Sequence, residues 1–283
     1  MSLPGSAKSR IETALGASVS SAGRLGGGQI AAVWRVDLQD GRALAVKSGN
    51  DLRLEGWMLG YLKSRTQVPV PEVHLADDDL LAMEFIASDS GLSARAESRL
   101  GEITAGLHAI AGEHFGFERD TLIGGLPQPN PPTDDWPAFF RDHRLLAMGR
   151  AGLAAGLLPQ RLMTRLEALC GRLTRWIGRD AAPSLVHGDL WAGNILSRGA
   201  DIVGLIDPAL YFADPEIELA FMTLFGSVGE RFFSSYGECR TLRPGFFEER
   251  RDLYNLYPLL VHVRLFGGAY VAQVDRTLAR YGV

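Results

Sequence analysis

The chain has 283 residues, 46% hydrophobic and 22% charged, with 29 basic side chains against 33 acidic ones and a formal charge of -4. This composition excludes a disordered, collagen-like or mucin-like protein, and a chain this long buries roughly 75% of its unfolded surface without needing disulfides or a structural metal. The acidic balance speaks against a protein built to coat nucleic acid.

In chain order, the first 85 residues read as β-rich. Short apolar and β-branched runs at 19–25, 31–38 and 43–47 are separated by Gly26-Gly27-Gly28 and by the turn Gln39-Asp40-Gly41, a hairpin signal. Residues 52–62 carry Leu54, Met58, Leu59 and Leu62 at helical spacing, and Pro69 and Pro71 follow. A second hairpin is expected over 73–75 and 80–86 around Asp77-Asp78-Asp79. Beyond Leu92 the pattern becomes helical, over 93–111, 136–155 and 158–177, with a Pro-rich loop at 127–137. Two short strands return at 194–196 and 202–206, and helices fill the remainder. The expectation is an α+β chain of two lobes, a small β-rich N-lobe (1–85) and a larger, mainly helical C-lobe (86–283), with a ligand cleft between them.

Cys170 and Cys239 are the two cysteines, far apart and without a C-x-x-C pattern. No secretory leader is read at the N-terminus, and no uncharged apolar run reaches the ~18 residues of a membrane span. A cytoplasmic monomer, with neither nucleic acid nor membrane as partner, is expected. Lys8, Lys47 and Lys63 are the only lysines, so a lysine inside an apolar strand stands out.

The most informative segment is LVHGDLWAGNIL at 185–196, followed by GLIDPA at 204–209. Asp189 precedes Asn194 by five residues, and Asp207 comes thirteen later, the spacing of a kinase catalytic loop. Phosphoryl transfer needs a carboxylate beside the acceptor hydroxyl and hard oxygen ligands for Mg²⁺. Asp189 fits the first role, and Asn194 and Asp207 the second. Lys47, at the end of the apolar run ALAVK, needs an anionic partner if buried. Glu55, eight residues on, and the phosphates of ATP would supply it; a strand-end lysine reaching solvent is the plainer alternative. Gly26, Gly27 and Gly28 would let backbone N–H groups approach phosphates, although three glycines also make an ordinary hairpin. Met83, Glu84 and Phe85 close the small lobe where an adenine-binding hinge would lie, or form an edge strand running into a loop.

The chain resembles the fructosamine/ketosamine kinases, within the aminoglycoside-phosphotransferase and choline-kinase group of protein-kinase-like folds. The resemblance runs nearly end to end. It rests on the glycines, Lys47, Glu55, the LGEITAGLH segment at 100–108, QPN at 128–130, HGDLWAGN at 187–194, DPA at 207–209, DPE at 214–216 and the LFG segments at 224–226 and 265–267. It implies transfer of phosphate from ATP, with Mg²⁺, to a hydroxyl of a small or protein-bound sugar ketoamine, typically O3 of a fructosamine or ribulosamine, as a protein-repair step. Phosphorylation of another hydroxylated amine, such as an aminoglycoside, is the alternative, and a nucleotide-binding pseudokinase a more distant one. Trp191 either walls the sugar or supports the loop. Asp214 and Glu216 either meet the substrate amine or cap the helix that starts there. Departures from the family pattern are Gln29 in place of a cysteine, Glu218 where aspartate is commoner, and Val261 and Arg264 in place of asparagines. Arg264 is expected in the acceptor pocket, repelling the amine or binding an acidic group.

Overall fold

The computed structural model describes residues 3–26, 31–89, 91–178 and 180–283. It opens with a helix the β-rich pattern did not announce, α1 (Gly5–Leu15), which buries only Ala7 and Ile11. Strands β1 (Val19–Arg24), β2 (Ala32–Leu38) and β3 (Ala43–Ser48) follow, then α2 (Leu52–Arg65), β4 (Val73–Ala76) and β5 (Leu80–Glu84). The five strands form one antiparallel sheet in the order β1-β2-β3-β5-β4.

Side chains alternate across a strand, and that alternation sorts the N-lobe into two layers. Leu44, Val46, Leu80 and Ala82 face α1, packing with Ile11, Trp34, Val36 and Leu38. Ala45, Leu81 and Met83 face the other way, against Leu52 and Leu59 of α2. Lys47 opposes Leu81 in register and so belongs to the α2 layer. A second stripe of α2, Met58 and Leu62, joins the large core of the helical part. One helix is thus packed into both lobes.

Where the N-lobe ends, Asp89 is pinned by backbone and side-chain bonds to the later β-hairpin. The Asp89 amide donates to the Ser197 carbonyl at 2.7 Å and the Gly199 amide to Asp89 Oδ2 at 2.6 Å. Helix α3 (Ala94–His108) starts at Ser93, whose hydroxyl oxygen accepts from the Ala96 amide, a standard N-cap. The expected loop after it contains a small hairpin, β6 (Thr121–Ile123) and β7 (Leu126–Gln128), turned by Gly124 and Gly125, both at positive φ. Pro127 is tolerated there because a two-stranded ribbon leaves one edge unpaired. The expected helix over 136–155 is α4 (Trp136–Phe139), a π-helical stretch (Phe140–Leu146) and α5 (Ala147–Ala154). Helix α6 (Gln160–Cys170) ends at Gly171.

The rest of the C-lobe comprises β8 (Ser184–Val186), β9 (Ile195–Arg198), β10 (Asp201–Leu205), β11 (Tyr211–Ala213), α7 (Glu216–Leu224), α8 (Glu230–Cys239), α9 (Arg251–Tyr254), α10 (Leu256–Phe266) and α11 (Ala269–Arg280). Strands β9 and β10 form the expected pair; β8 pairs with β11. The loops carrying the kinase-like motif therefore hang between two short ribbons, directly under the N-lobe sheet. Among the described residues, no helix is long and apolar enough to cross a membrane.

Candidate active site

The catalytic loop runs from β8 to β9. Its glycine is demanded by the fold: Gly188 has φ +85°, and a Cβ there would lie 2.0 Å from the Ala209 carbonyl oxygen. That close approach lets the Ala209 amide donate to the His187 carbonyl at 2.7 Å, tying the loop to the segment after Asp207. From below, buried Glu218 on α7 accepts from the His187 amide (3.2 Å) and the Gly188 amide (2.7 Å), and bonds His108 Nε2 at 2.9 Å. Burial pushes the Glu218 carboxyl up, but the His108 bond, nearby His187 and the Gly188 amide more than offset it, so it lies below its ordinary range. Sequence reasoning noted Glu218 as a departure and missed its task. Its signal was an acid inside the apolar run of α7.

Asp189 and Asn194 are brought together as the spacing predicts. Asn194 Nδ2 donates to the Asp189 carbonyl at 2.8 Å and to Oδ2 at 2.9 Å, which leaves the amide oxygen of Asn194 free of that pair. Desolvation, together with the neighbouring Asp207 carboxylate, pushes the Asp189 carboxyl well above the usual carboxylate range. Asp207 is one of two non-glycine residues at positive φ among those described (+57°), a strained conformation that aims its carboxylate into the cleft.

Lys47 reaches the same point from the N-lobe. It is 6% exposed, bonds Glu55 Oε1 at 2.6 Å and pairs with Asp207. Burial favours the neutral amine, yet the two carboxylates outweigh it and hold Lys47 charged. Burial correspondingly pushes the Glu55 carboxyl up. Two lobes thus meet at one ammonium. Among the described residues no three His, Cys, Asp or Glu side chains form a metal cage. Asn194 and Asp207 nonetheless offer two hard oxygen donors, which suits an ion that takes its other ligands from phosphates and water.

The other expected residues divide. Gly26 is exposed, with open space where a Cβ would stand, whereas Gly27, Gly28 and Gln29 lie outside the described residues. At the hinge, Met83 is buried towards α2. The Glu84 amide donates to the Glu72 carbonyl at 2.8 Å, and the Phe85 amide to the Ala43 carbonyl at 2.9 Å. These two N–H groups are therefore engaged within the sheet.

Trp191 is 39% exposed, with its ring lying over Gly193, where a Cβ would come within 2.5 Å, and edge-on to Phe225. Asp214 and Glu216 are buried rather than open to a substrate amine. Asp214 takes a bond from the Tyr254 hydroxyl (2.7 Å) and pairs with Arg243; Glu216 is gripped by Arg250 at 2.5 and 3.0 Å and by Arg243 at 3.0 Å. Asp214 Oδ1 accepts from the Glu216 amide at 3.0 Å, a turn bond just ahead of α7, whose N-cap Pro215 has no side-chain cap. Arg264 is also corrected: it extends against Gly152 of α5. The pocket beside Asp189 is instead lined by Tyr211, Ile217, Phe221, Tyr257, Val261 and His262, among others. His262 Nδ1–H donates to the Pro258 carbonyl at 2.7 Å, and burial lowers its pKa, so the ring is neutral. Tyr211, Ile217, Tyr257 and Val261 belong at the same time to the large buried core, which is how their apolar spacing reads.

A family model described as fructosamine kinase matches residues 6–281. The chain belongs to the fructosamine kinase family. It is 37% identical over 220 residues to a Synechocystis sp. protein named a probable ketoamine kinase, covering 75% of this chain and 71% of that one. A candidate fructosamine-3-kinase from Thermobifida fusca superposes with a TM-score of 0.86 at 33% identity, covering 96% of this chain and 98% of that one. A macrolide 2'-phosphotransferase from Brachybacterium faecium, 18% identical with a TM-score of 0.61 over 99% and 98% of the two chains, shares the fold alone. As a fructosamine kinase family member this chain is a phosphotransferase with a protein-kinase-like α+β fold.

Proposed function

We propose that this kinase uses ATP and Mg²⁺ to phosphorylate a hydroxyl, typically O3, of a free or protein-bound sugar ketoamine. The observation that carries the reading is the convergence of Lys47 with Asp207 and of Asn194 with Asp189, whose carboxyl feels both Asp207 and Lys47 and borders a small apolar hollow. In this reading residues 1–85 cover the nucleotide and 86–283 hold the acceptor. Asp189 accepts the hydroxyl proton and orients the oxygen; its raised pKa brings it nearer the operating pH of a general base. Lys47, fixed by Glu55, holds phosphate oxygens in the place Asp207 now occupies. Asn194 and Asp207 would hold the magnesium, which when bound neutralises charge on the phosphates. Gly26, Gly27 and Gly28 would cover those phosphates.

The acceptor would meet the apolar side chains beside Asp189, with His262 Nε2 as a hydrogen-bond acceptor and Trp191 further out, edge-on to the Phe225 that packs on His262. No carboxylate from Asp214 or Glu216 is available to it. The test is ATP consumption, with mass spectrometry of the product, for fructoselysine and ribuloselysine against fructose, ribulose and an aminoglycoside. Turnover of the ketoamines at well above the rate of the parent sugars is expected. Turnover of the aminoglycoside alone would overturn the acceptor class, and no nucleotide consumption with any acceptor would overturn the kinase mechanism.

A further inference from the structure

Helix α2 presents a third face whose Trp57 and Tyr61 are only half-buried where they pack against the edge of the large core. On it Trp57, Gly60, Tyr61, Ser64 and Arg65 line a surface pocket that Glu118 of the C-lobe closes. Gly60 forms an open floor, with nothing within 4 Å of where a Cβ would be. Trp57 and Tyr61, one helical turn apart, form an aromatic wall, with ring centroids 5.6 Å from each other and 5.7 and 5.1 Å from Phe117. Two guanidinium groups lie on that wall, Arg65 at 5.2 Å from the Tyr61 centroid and Arg119 at 3.9 Å from that of Trp57. The acid beside them is Glu118, 3.9 Å from Arg119.

We propose that this pocket is a binding site for a small aromatic anion, and that its occupancy is coupled to nucleotide affinity. Rings offer stacking area, and Arg65 in the lining, with Arg119 stacked on Trp57 just outside it, favours a negative ligand over the single Glu118. The coupling follows from what α2 carries. Glu55, which holds Lys47, stands two residues before Trp57 on the same rigid helix. Phe117 in turn packs on Phe212 of β11 at 5.8 Å, five residues beyond Asp207. A ligand wedged on the Trp57–Tyr61 wall fixes α2 against Phe117, and with it both partners of Lys47. This second half rests on the reading of Lys47 and Glu55 as a nucleotide clamp; the first half does not.

The experiment uses the full chain and 8-anilinonaphthalene-1-sulfonate as probe, followed by fluorescence. One saturable site is expected, weakened about tenfold or more by Gly60→Leu, which fills the floor with a residue that suits a helix better than glycine, and likewise by Arg65→Ala with Arg119→Ala. The uncharged N-phenyl-1-naphthylamine should bind about tenfold more weakly than the sulfonate. Probe affinity unchanged in both variants, or equal for the uncharged analogue, overturns the site. In the wild type, saturating probe should shift the Mg-ATP dissociation constant, and Mg-ATP should shift that of the probe by the same factor, with both shifts absent in Gly60→Leu. Independent binding of the two overturns the coupling. Probe binding in a protein that binds no Mg-ATP overturns the clamp reading and the coupling with it, while the pocket stands.

Discussion

Two clusters of buried charge lie in this molecule and differ in balance. In the C-lobe, Asp214 and Glu216 face Arg243 and Arg250, two anions against two cations, with Tyr254 and Trp136 extending the hydrogen-bond chain. In the cleft, Lys47 alone faces Glu55 and Asp207, with Asp189 close enough to feel the charges of Asp207 and Lys47. The first cluster is balanced where it is buried, and exposed Asp180 lies 3.6 Å from Arg243 at its edge. The unbalanced one carries excess negative charge in an open cleft, the condition for attracting a cation and for keeping a carboxyl above its ordinary pKa. Charge that is fully matched serves the fold; charge left over is available for chemistry.

Asp189→Asn should give the largest effect. Loss of the base should lower turnover by about 10³-fold or more while Mg-ATP still binds, because the carboxylate acts on the acceptor hydroxyl. The same change should raise the melting temperature. The folded carboxyl is held above its unfolded value, so Asp189 favours folding while protonated at low pH, and that contribution is lost as pH rises through the folded pKa. At neutral pH the ionised group is therefore a cost that asparagine removes. For the same reason the acid limb of kcat/KM should lie above the ordinary range of an aspartate near 3.9. Near wild-type turnover, or a lower melting temperature, would break the contrast between the clusters at its centre.

Asp207→Ala comes next. It removes the charge that Lys47 and the metal would share, so Mg-ATP affinity and turnover should both fall, by about 10²-fold. Stability should change little, since Lys47 keeps Glu55. Calorimetric titration with Mg-ATP checks the first expectation and thermal melting the second. Arg250→Met probes the other cluster and should do the reverse. It leaves Glu216 with Arg243 alone in a buried site, at a cost of about 3–5 kcal/mol, while turnover per folded molecule is retained. Chemical denaturation combined with activity at low temperature separates the two; an inactive but stable Arg250→Met would show that the balanced cluster reaches the chemistry after all.

The contrast also explains what could be read in advance. Asp189, Asn194 and Asp207 lie within nineteen residues on connected loops, so local spacing carries their geometry. Lys47 and Glu55 are eight residues apart on a strand and the following helix, again a short-range pairing. The partners of Asp214 and Glu216 are Arg243 and Arg250, roughly thirty residues downstream on separate turns, and no local pattern announces them. Helix α1 escaped because a short helix burying two residues leaves almost no apolar stripe. Pro127 suggested a loop because a ribbon of three-residue strands carries no alternation to read. The residues of α7 and α10 that line the hollow beside Asp189, Ile217, Tyr257 and Val261, are themselves part of the buried core, so their period carries no separate signal.

The smallest effect separates two neighbouring departures from the family pattern. Val261 and Arg264 sit three residues apart on α10, less than one turn, yet Val261 lines the pocket beside Asp189 and Arg264 lies against α5. A helix places residues three apart on adjoining strips, so a pocket edge running between those strips divides them. Val261→Asn puts an amide into an apolar wall, where it is unpaired unless the acceptor supplies a partner. It should change the ratio of kcat/KM between a ketoamine and its parent sugar by about 3–10-fold, with Mg-ATP binding untouched. Arg264→Asn should leave that ratio within about twofold, because its side chain packs towards Gly152 and does not line that pocket. The same pair of substrates measured on both variants decides it. A larger shift from Arg264→Asn would mean that the acceptor extends to α5 and that the cation at that end is part of the site.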